Sequence, residues 1–128
     1  MILLINTSTP VCELSFIEGS WRHNSQWQAD RQLAKGLLAY IKGQLEEVGK
    51  SWADISGVVV YKGPGSFTGL RIGITVANSL AYSREVPIVG EVGDDWQQLG
   101  VSRLLAGKND QIVLPEYGGE ANITLPKK

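Results

Sequence analysis

The sequence predicts an α/β domain, a mixed five-stranded sheet with helices packed on it. Three observations carry this. Ile2–Asn6 and Gly57–Tyr61 are apolar with hardly a break, as strands covered on both faces are. Two long amphipathic stretches lie where crossovers between parallel neighbours are needed. Three short extended stretches come first, separated only by turns, so the first part of the sheet meanders.

Ile2–Asn6 opens the sheet, and Thr7-Ser8-Thr9-Pro10 is a polar turn out of it. Val11–Ile17 alternates enough for a second strand. Glu18-Gly19-Ser20 then turns the chain into a third, more exposed strand over Trp21–Trp27. Asp30 is placed to cap a helix from Arg31 to about Val48, stopped by Gly49. Ser51–Ile55 is a short connection, and Gly57–Tyr61 is the next buried strand. A second helix runs from about Ser66 to Arg84 and ends at Val86-Pro87, with Pro87–Gly90 as a short fifth strand. Asp94 or Asp95 is placed to cap a third helix through Leu105. A loop, a short extended piece over Gln111–Leu114 and a tail of turn residues, Tyr117–Lys128, follow. The expected division is a lobe over 1–106 and a C-terminal tail over 107–128. Strands in a row, then helix, strand, helix and strand, is the order of a single ribonuclease-H-like, actin-type (ASKHA) lobe.

At 128 residues the chain is one domain, long enough to bury about two thirds of its unfolded surface. Its 12 basic and 13 acidic side chains are interspersed, which argues against autonomous nucleic-acid binding. No apolar run exceeds Met1–Ile5, which is too short to span a bilayer and lacks the basic start and cleavage site of a signal peptide. A single cysteine, Cys12, excludes an internal disulfide and fits a reducing cytosol, so a cytoplasmic protein without a membrane partner is expected. Cys12 reads as a buried strand thiol, because no basic or histidine neighbour in sequence activates it.

The stretch YKGPGSFTGLRIGITVANSLA, Tyr61–Ala81, joins a strand to a helix through Gly63, Gly65 and Gly69. A glycine-rich turn that opens a helix is a place for phosphate. It is not a Walker loop, because no Gly-Lys-Ser/Thr follows the glycines. G-x-G-x-x-x-G is also one residue too long for the dinucleotide fingerprint, and the expected acidic residue about 20 positions on is missing. What remains is glycine that permits positive φ, Pro64 that fixes its neighbour, and Ser66 as a helix N-cap. On these residues alone a phosphate site and a ligand-free turn stay equally open. Candidate contacts for a phosphate or a partner are Gly63, Gly65, Ser66, Thr68 and Arg71. Arg71 lies one turn into the helix, and an ion pair within the domain is the alternative for it.

Gly69, Gly73, Ala77 and Ala81 recur at i+4 as a ridge of small side chains, over which another backbone can come close. Leu70 and Ile74 flank it on one side, Ile72, Val76 and Leu80 on the other. The apolar arc is about 200°, wider than a helix lying on a sheet needs. On the first helix Leu33, Leu37, Leu38, Ile41, Leu45 and Val48, with Tyr40, spread over about 160°. The surplus is hidden either between the helices or against a partner. Leu38, Ile41 and Leu45, with Ile72, Val76 and Leu80, are expected on the sheet side. Leu33, Leu37, Tyr40, Leu70 and Ile74 are expected outward, as a partner interface.

The run KGPGSFTGLRIG, the small-residue helix and Val86-Pro87-Ile88-Val89-Gly90 together resemble the TsaB (YeaZ) family. NTST after the first strand resembles that family's Asp-Thr-Ser/Thr opening, and Leu114-Pro-Glu-Tyr-Gly-Gly its C-terminal Pro-x-Tyr-Leu-Arg segment. The resemblance covers Met1 to about Gly90 and is strongest over Tyr61–Ala81. It implies a non-catalytic subunit of the bacterial complex that makes threonylcarbamoyladenosine at tRNA position 37. Such a subunit binds and stabilises the catalytic TsaD through its long helices, with TsaE joining as an ATPase. ATP and magnesium are then used by the partners, no cofactor is held by the isolated chain, and tRNA is met only through the complex. Where TsaD is absent, a homodimer and a monomer both stay open.

Two departures from the family pattern argue against chemistry in this chain. Family members are nearly twice this length, with a second lobe of the same fold, and here Gly90 leads through one helix to the tail. Asn6 stands where the family has aspartate, and a neutral amide is a poor ligand for a hard cation. Other candidates read as structural. His23 is the only histidine, so it offers no metal pair and little support to Ser8 or Ser66 as nucleophiles. Asp94-Asp95 suits a helix cap, Glu46-Glu47 a solvated helix end, and Lys127-Lys128 a terminus. Trp21, Trp27, Trp52 and Trp96 do not interleave with basic residues as a stacking platform would. The alternatives are a small nucleotide-binding or peptidase-like enzyme of the same fold, and a stand-alone homodimeric interaction module.

Overall fold

Alternate residues of the central strands feed two different cores. In the computed structural model, which describes residues 1–116, Leu3 and Ile5, Val58 and Val60, and Ile88 join one apolar cluster. Their neighbours Leu4, Val59 and Val89 join another. Side chains alternate across a strand, so both faces of these strands are covered. That is why they carry unbroken apolar runs.

The strands are β1 (Ile2–Asn6), β2 (Val11–Glu18), β3 (Trp21–Gln28), β4 (Gly57–Gly63) and β5 (Ile88–Val92). They lie in the order β3-β2-β1-β4-β5. β1, β2 and β3 form an antiparallel meander, whereas β4 runs parallel to β1 and β5 parallel to β4. The helices are α1 (Leu33–Glu47), α2 (Phe67–Arg84) and α3 (Trp96–Leu105). α1 and α2 supply Leu33, Leu37, Ile41, Leu45, Leu70, Ile74 and Ala77 to the larger core. α3 covers the other face with Trp96, beside half-buried Val101 and Leu104. This is the predicted mixed five-stranded sheet.

Two caps differ from expectation. Asp30 has φ +48° and begins a 3-10 turn, Asp30–Gln32, ahead of α1, and its carboxylate accepts from Gln28 Nε2 at 2.7 Å rather than capping the helix. Asp95 holds the N-cap position of α3, but its side chain makes no cap hydrogen bond. Glu85, in the left-handed region at φ +57°, closes α2 one residue before Val86-Pro87. Within the expected connection, Trp52–Asp54 is a 3-10 turn, with Ser51 and Asp54 in a capping box.

After α3 the chain returns along the open edge of β5. Ile88 N–H donates to Asn109 Oδ1, Ile88 C=O accepts from Asp110 N–H, and Gly90 N–H donates to Asp110 Oδ2. These groups would otherwise stand unpaired on an edge strand. Val113 is buried, and the Asn78 side chain of α2 pairs with it twice, accepting its N–H at 2.9 Å and donating to its C=O at 3.0 Å. Glu116 N–H ends the path on Lys62 C=O at 2.6 Å. The expected turn-rich segment Tyr117–Lys128 lies outside the described residues.

Candidate functional site

β1 and β4 are parallel neighbours and end side by side. Their exit loops, Asn6–Pro10 and Gly63–Ser66, therefore meet at the carboxyl end of the sheet, where open α/β sheets place ligands. Asn6 Oδ1 accepts the Ser8 N–H at 2.9 Å, an Asx turn that folds the first loop back. Ser8 C=O then accepts the Ser66 N–H at 2.9 Å. Thr7, almost fully buried, donates its hydroxyl to Gly69 C=O at 2.6 Å. A Cβ at Gly69 would overlap the Thr7 carbonyl, and one at Gly73 the Thr7 hydroxyl. The backbone that approaches the small-residue ridge is thus the first loop's own.

The glycine loop is also held from above. Gly63 has φ +133°, and the Glu116 carbonyl lies where its Cβ would be. Ser66 caps α2 as expected, its Oγ accepting from Gly69 N–H at 3.3 Å. Gly65 sits against Ser8, and Tyr61 Oη donates to Pro64 C=O at 2.9 Å. Of the amides that could meet a phosphate at this helix start, those of Ser66 and Gly69 are already bonded inside the protein. Thr68 and Arg71 are exposed. The Arg71 guanidinium lies 5.4 Å from the centre of the Phe67 ring, a cation–π contact. Among the described residues no carboxylate is within ion-pair distance of it, so the alternative of an ion pair is not formed with any of them.

The remaining candidates fall into the frame of the fold. His23 stacks on Phe16, ring centres 5.9 Å apart, and its Nε2 is 2.8 Å from Gln44 Oε1. Trp27 stacks on Tyr40, and Trp96 is buried edge-on to Tyr61. Cys12 has no exposed surface, and burial, with the Glu13 charge beside it, pushes its thiol up to about 12, far from a reactive thiolate. Among the described residues no group of three or more His, Cys, Asp and Glu side chains could hold a metal ion. No helix among them is long and apolar enough to cross a membrane.

The outward faces expected for α1 and α2 need correction. Leu33, Leu37, Leu70 and Ile74 are core, with Leu37 and Leu70 wholly inaccessible. Tyr40 is half-buried and faces β3, donating its hydroxyl to Ser25 Oγ at 2.6 Å. Leu38, expected on the sheet side, is 52% exposed, whereas Ile41 and Leu45 do lie inward. Ile72 and Val76 are half-exposed, whereas Leu80 is inward as expected. Helical periodicity defined each apolar arc but not which half met the sheet. With the orientation corrected, the outer seam of the two helices is a groove. Its upper part, about 950 Å³, runs between the α1 and α2 starts past Pro10, Arg31, Ala34, Thr68 and Ile72. It continues, at about 390 Å³, along Ala34, Arg71, Ile72, Thr75 and Val76.

A family model described as "TsaD: tRNA N6-adenosine threonylcarbamoyltransferase" matches residues 27–91. The tRNA threonylcarbamoyladenosine biosynthesis protein TsaB of Escherichia coli (strain K12) is 29% identical over 130 residues, which span 94% of this chain and 56% of that protein. TsaB of Bacillus subtilis (strain 168) is 60% identical over 35 residues, 27% of this chain and 15% of its own. Among solved structures, "YeaZ from Pseudomonas aeruginosa" superposes with a TM-score of 0.67 at 27% identity, covering 71% of this chain and 43% of that one. The architecture is accordingly an actin-type, ribonuclease-H-like lobe. The chain spans about half the length of the curated relatives it matches most broadly.

Proposed function

The chain belongs to the TsaB (YeaZ) family, and on that premise we propose that it is a non-catalytic subunit of the tRNA threonylcarbamoyladenosine machinery. In this reading it binds and stabilises the transferase TsaD through the outer faces of α1 and α2. The observation that carries the reading is the α1/α2 groove. It is open, its floor is apolar through Ala34, Ile72 and Val76, and exposed Leu38 lies on the outer face of α1. A groove of this kind between two long helices suits another protein's helices. The loops at the carboxyl end of the sheet brace the start of α2 instead of forming a ligand cradle, since Thr7, Ser8 and Glu116 occupy the space around the glycines.

On this reading ATP and magnesium are used by TsaD and TsaE, and tRNA is engaged by the assembled complex in the cytoplasm. The chain neither hydrolyses ATP nor transfers the threonylcarbamoyl group. The test mixes the purified chain with TsaD from the same genome and sizes the product, with an ATPase assay on the chain alone. A heterodimer and no turnover are expected. Turnover by the chain alone overturns the non-catalytic assignment, and two separate peaks overturn the partner.

A further inference from the structure

The two edges of the sheet are finished differently. β5 is covered by the returning segment, through Asn109 and Asp110. β3 has β2 on one side and, among the described residues, no backbone partner on the other. It pairs with β2 over all eight of its residues without a register shift, so no bulge bends this edge away. Its sequence, WRHNSQWQ, holds no proline, lysine or acid. The one charge, Arg22, lies over the sheet toward α3, donating to Asn24 Oδ1 and Gln97 Oε1 at 2.9 Å each. The usual protections of an open edge are thus missing. α1 runs antiparallel to β3 over its inner face, since Gly36 lies against Trp27, Tyr40 bonds Ser25 and Gln44 meets His23. The flank of α1 away from α2 carries Gly36, Ala39 and Gly43. Glycine weakens a helix relative to alanine, and a Cβ at Gly43 would meet nothing within 4 Å.

We propose that β3 pairs antiparallel with β3 of a second copy about a two-fold axis normal to the sheet. The product is one sheet of ten strands, five from each copy. Directly opposed residues share a face, so the axis passes through a residue position. Through Asn24 it sets Trp21 opposite Trp27 and Arg22 opposite Gln26, and through Ser25 it sets His23 opposite Trp27 and Arg22 opposite Gln28. Neither register opposes like charges. The same rotation lays the two α1 helices antiparallel, small flank toward small flank. Arg31, in the 3-10 turn before α1, and Lys35 then run beside Glu46 and Glu47 of the copy. Among the described residues none of these four is in an ion pair, so their charges are available to a second chain. Lys42 is exposed and turned about 120° from Gly36, away from this flank. A lone extended peptide would satisfy the ladder but neither the flank nor these charges. Because β5 is covered, each chain offers one open edge, and association closes at two. The α1/α2 groove lies on the other side of α1 and stays open.

The experiment follows the chain alone by sedimentation and by hydrogen exchange, at about 5 and about 500 µM. A monomer–dimer equilibrium is expected, with β3 amides exchanging more slowly at the higher concentration and α3 amides unchanged. Gln26→Lys/Gln28→Lys sets a like charge against Arg22 of the copy in either register. Self-association should then weaken about tenfold or more, with an unchanged circular dichroism spectrum. Leu38→Glu, on the groove side of α1, should leave the dimer intact. A wild-type chain that is monomeric at the higher concentration overturns the proposal. A dimer whose β3 amides exchange alike at both concentrations overturns it too, and needs no variant to be seen. A dimer lost in Leu38→Glu and kept in the double variant assigns pairing to the groove and likewise overturns it.

Discussion

The Thr7 hydroxyl reaches the carbonyl of Gly69, 62 positions along the chain, at 2.6 Å. One bond thus joins the exit of β1 to the first turn of α2, and the small residues of that turn make the approach possible. Gly73 carries the sharper constraint, because Thr7 Oγ1 and Cγ2 fill the space its Cβ would take. Gly73→Leu is expected to destabilise by about 1–3 kcal/mol through overpacking. Thr75→Leu, two residues on and exposed, should shift stability by less than about 0.5 kcal/mol. Urea melts of the two variants measure this directly, and equal midpoints would mean the ridge is not a packing constraint.

Asn78 acts on the returning segment as a neighbouring strand would, pairing with both the N–H and the C=O of Val113. Asn78→Ala removes both partners and leaves two part-buried backbone groups unpaired, at about 1–3 kcal/mol. Hydrogen exchange should locate the effect. The Val113 amide is expected to lose protection while β1 amides keep theirs at matched global stability. If the Val113 amide exchanges as slowly as in wild type, Asn78 is not what holds the segment.

These two contacts mark how far the sequence could be read. β1 and β4 are legible because strands covered on both faces must be apolar throughout, and α2 because Ser66 and its glycines give it a marked start. The Thr7–Gly69 bond and the Asn78 clamp involve positions far apart in sequence, and no local pattern announces them. The faces of α1 failed for a different reason, since an arc of periodic leucines has two edges that look alike. The better signal was in the flanking residues. Leu38 has Lys35 three positions before it and Lys42 four after, whereas Leu37 stands between Leu33 and Ile41. A helix position whose i−3 and i+4 neighbours are charged faces water.

Asp110 predicts a pH dependence. Burial pulls its carboxyl up, but hydrogen bonds from Arg103 and the Gly90 amide, with the charges of Arg103 and Lys62, outweigh burial and hold it below the ordinary 3.8. Arg103 also binds Glu91 at 2.9 Å, so the three side chains fasten the returning segment to β5. A carboxyl depressed by folding takes up protons more readily when unfolded. Its contribution is therefore full above about pH 4 and is lost as pH falls through the folded value. Asp110→Asn should lower stability at pH 7 by about 1 kcal/mol, a charge-assisted bond discounted for partial exposure. The variant's melting temperature should also fall less than wild type's between pH 5 and pH 2. Parallel pH profiles would remove Asp110 from the account.

Leu37 and Leu38 are adjacent in sequence and opposite in fate, which makes them the sharpest test of the helix orientation. Leu37 has no accessible surface and joins the core with Leu33 and Ile41, while Leu38 is 52% exposed. Leu37→Glu buries a carboxylate among aliphatic side chains and removes a leucine from a packed site. Loss of the leucine alone costs about 2–5 kcal/mol in comparable cores, and the unpaired charge adds to it. Against a total stability of about 5–15 kcal/mol for a domain, an unfolded or molten product is expected, read as loss of cooperative melting. Leu38→Glu creates no cavity and places a solvated acid between Lys35 and Lys42, three before and four after it, so the fold should persist with an unchanged melting temperature. Its effect should appear only in association, because a carboxylate beside the groove must be desolvated against the partner and loses the apolar contact of the leucine. Weaker binding to TsaD with native circular dichroism supports that geometry. A folded Leu37→Glu variant would instead mean that α1 is rotated from the position described, and a Leu38→Glu variant that binds as wild type would put the interface on another face of the lobe.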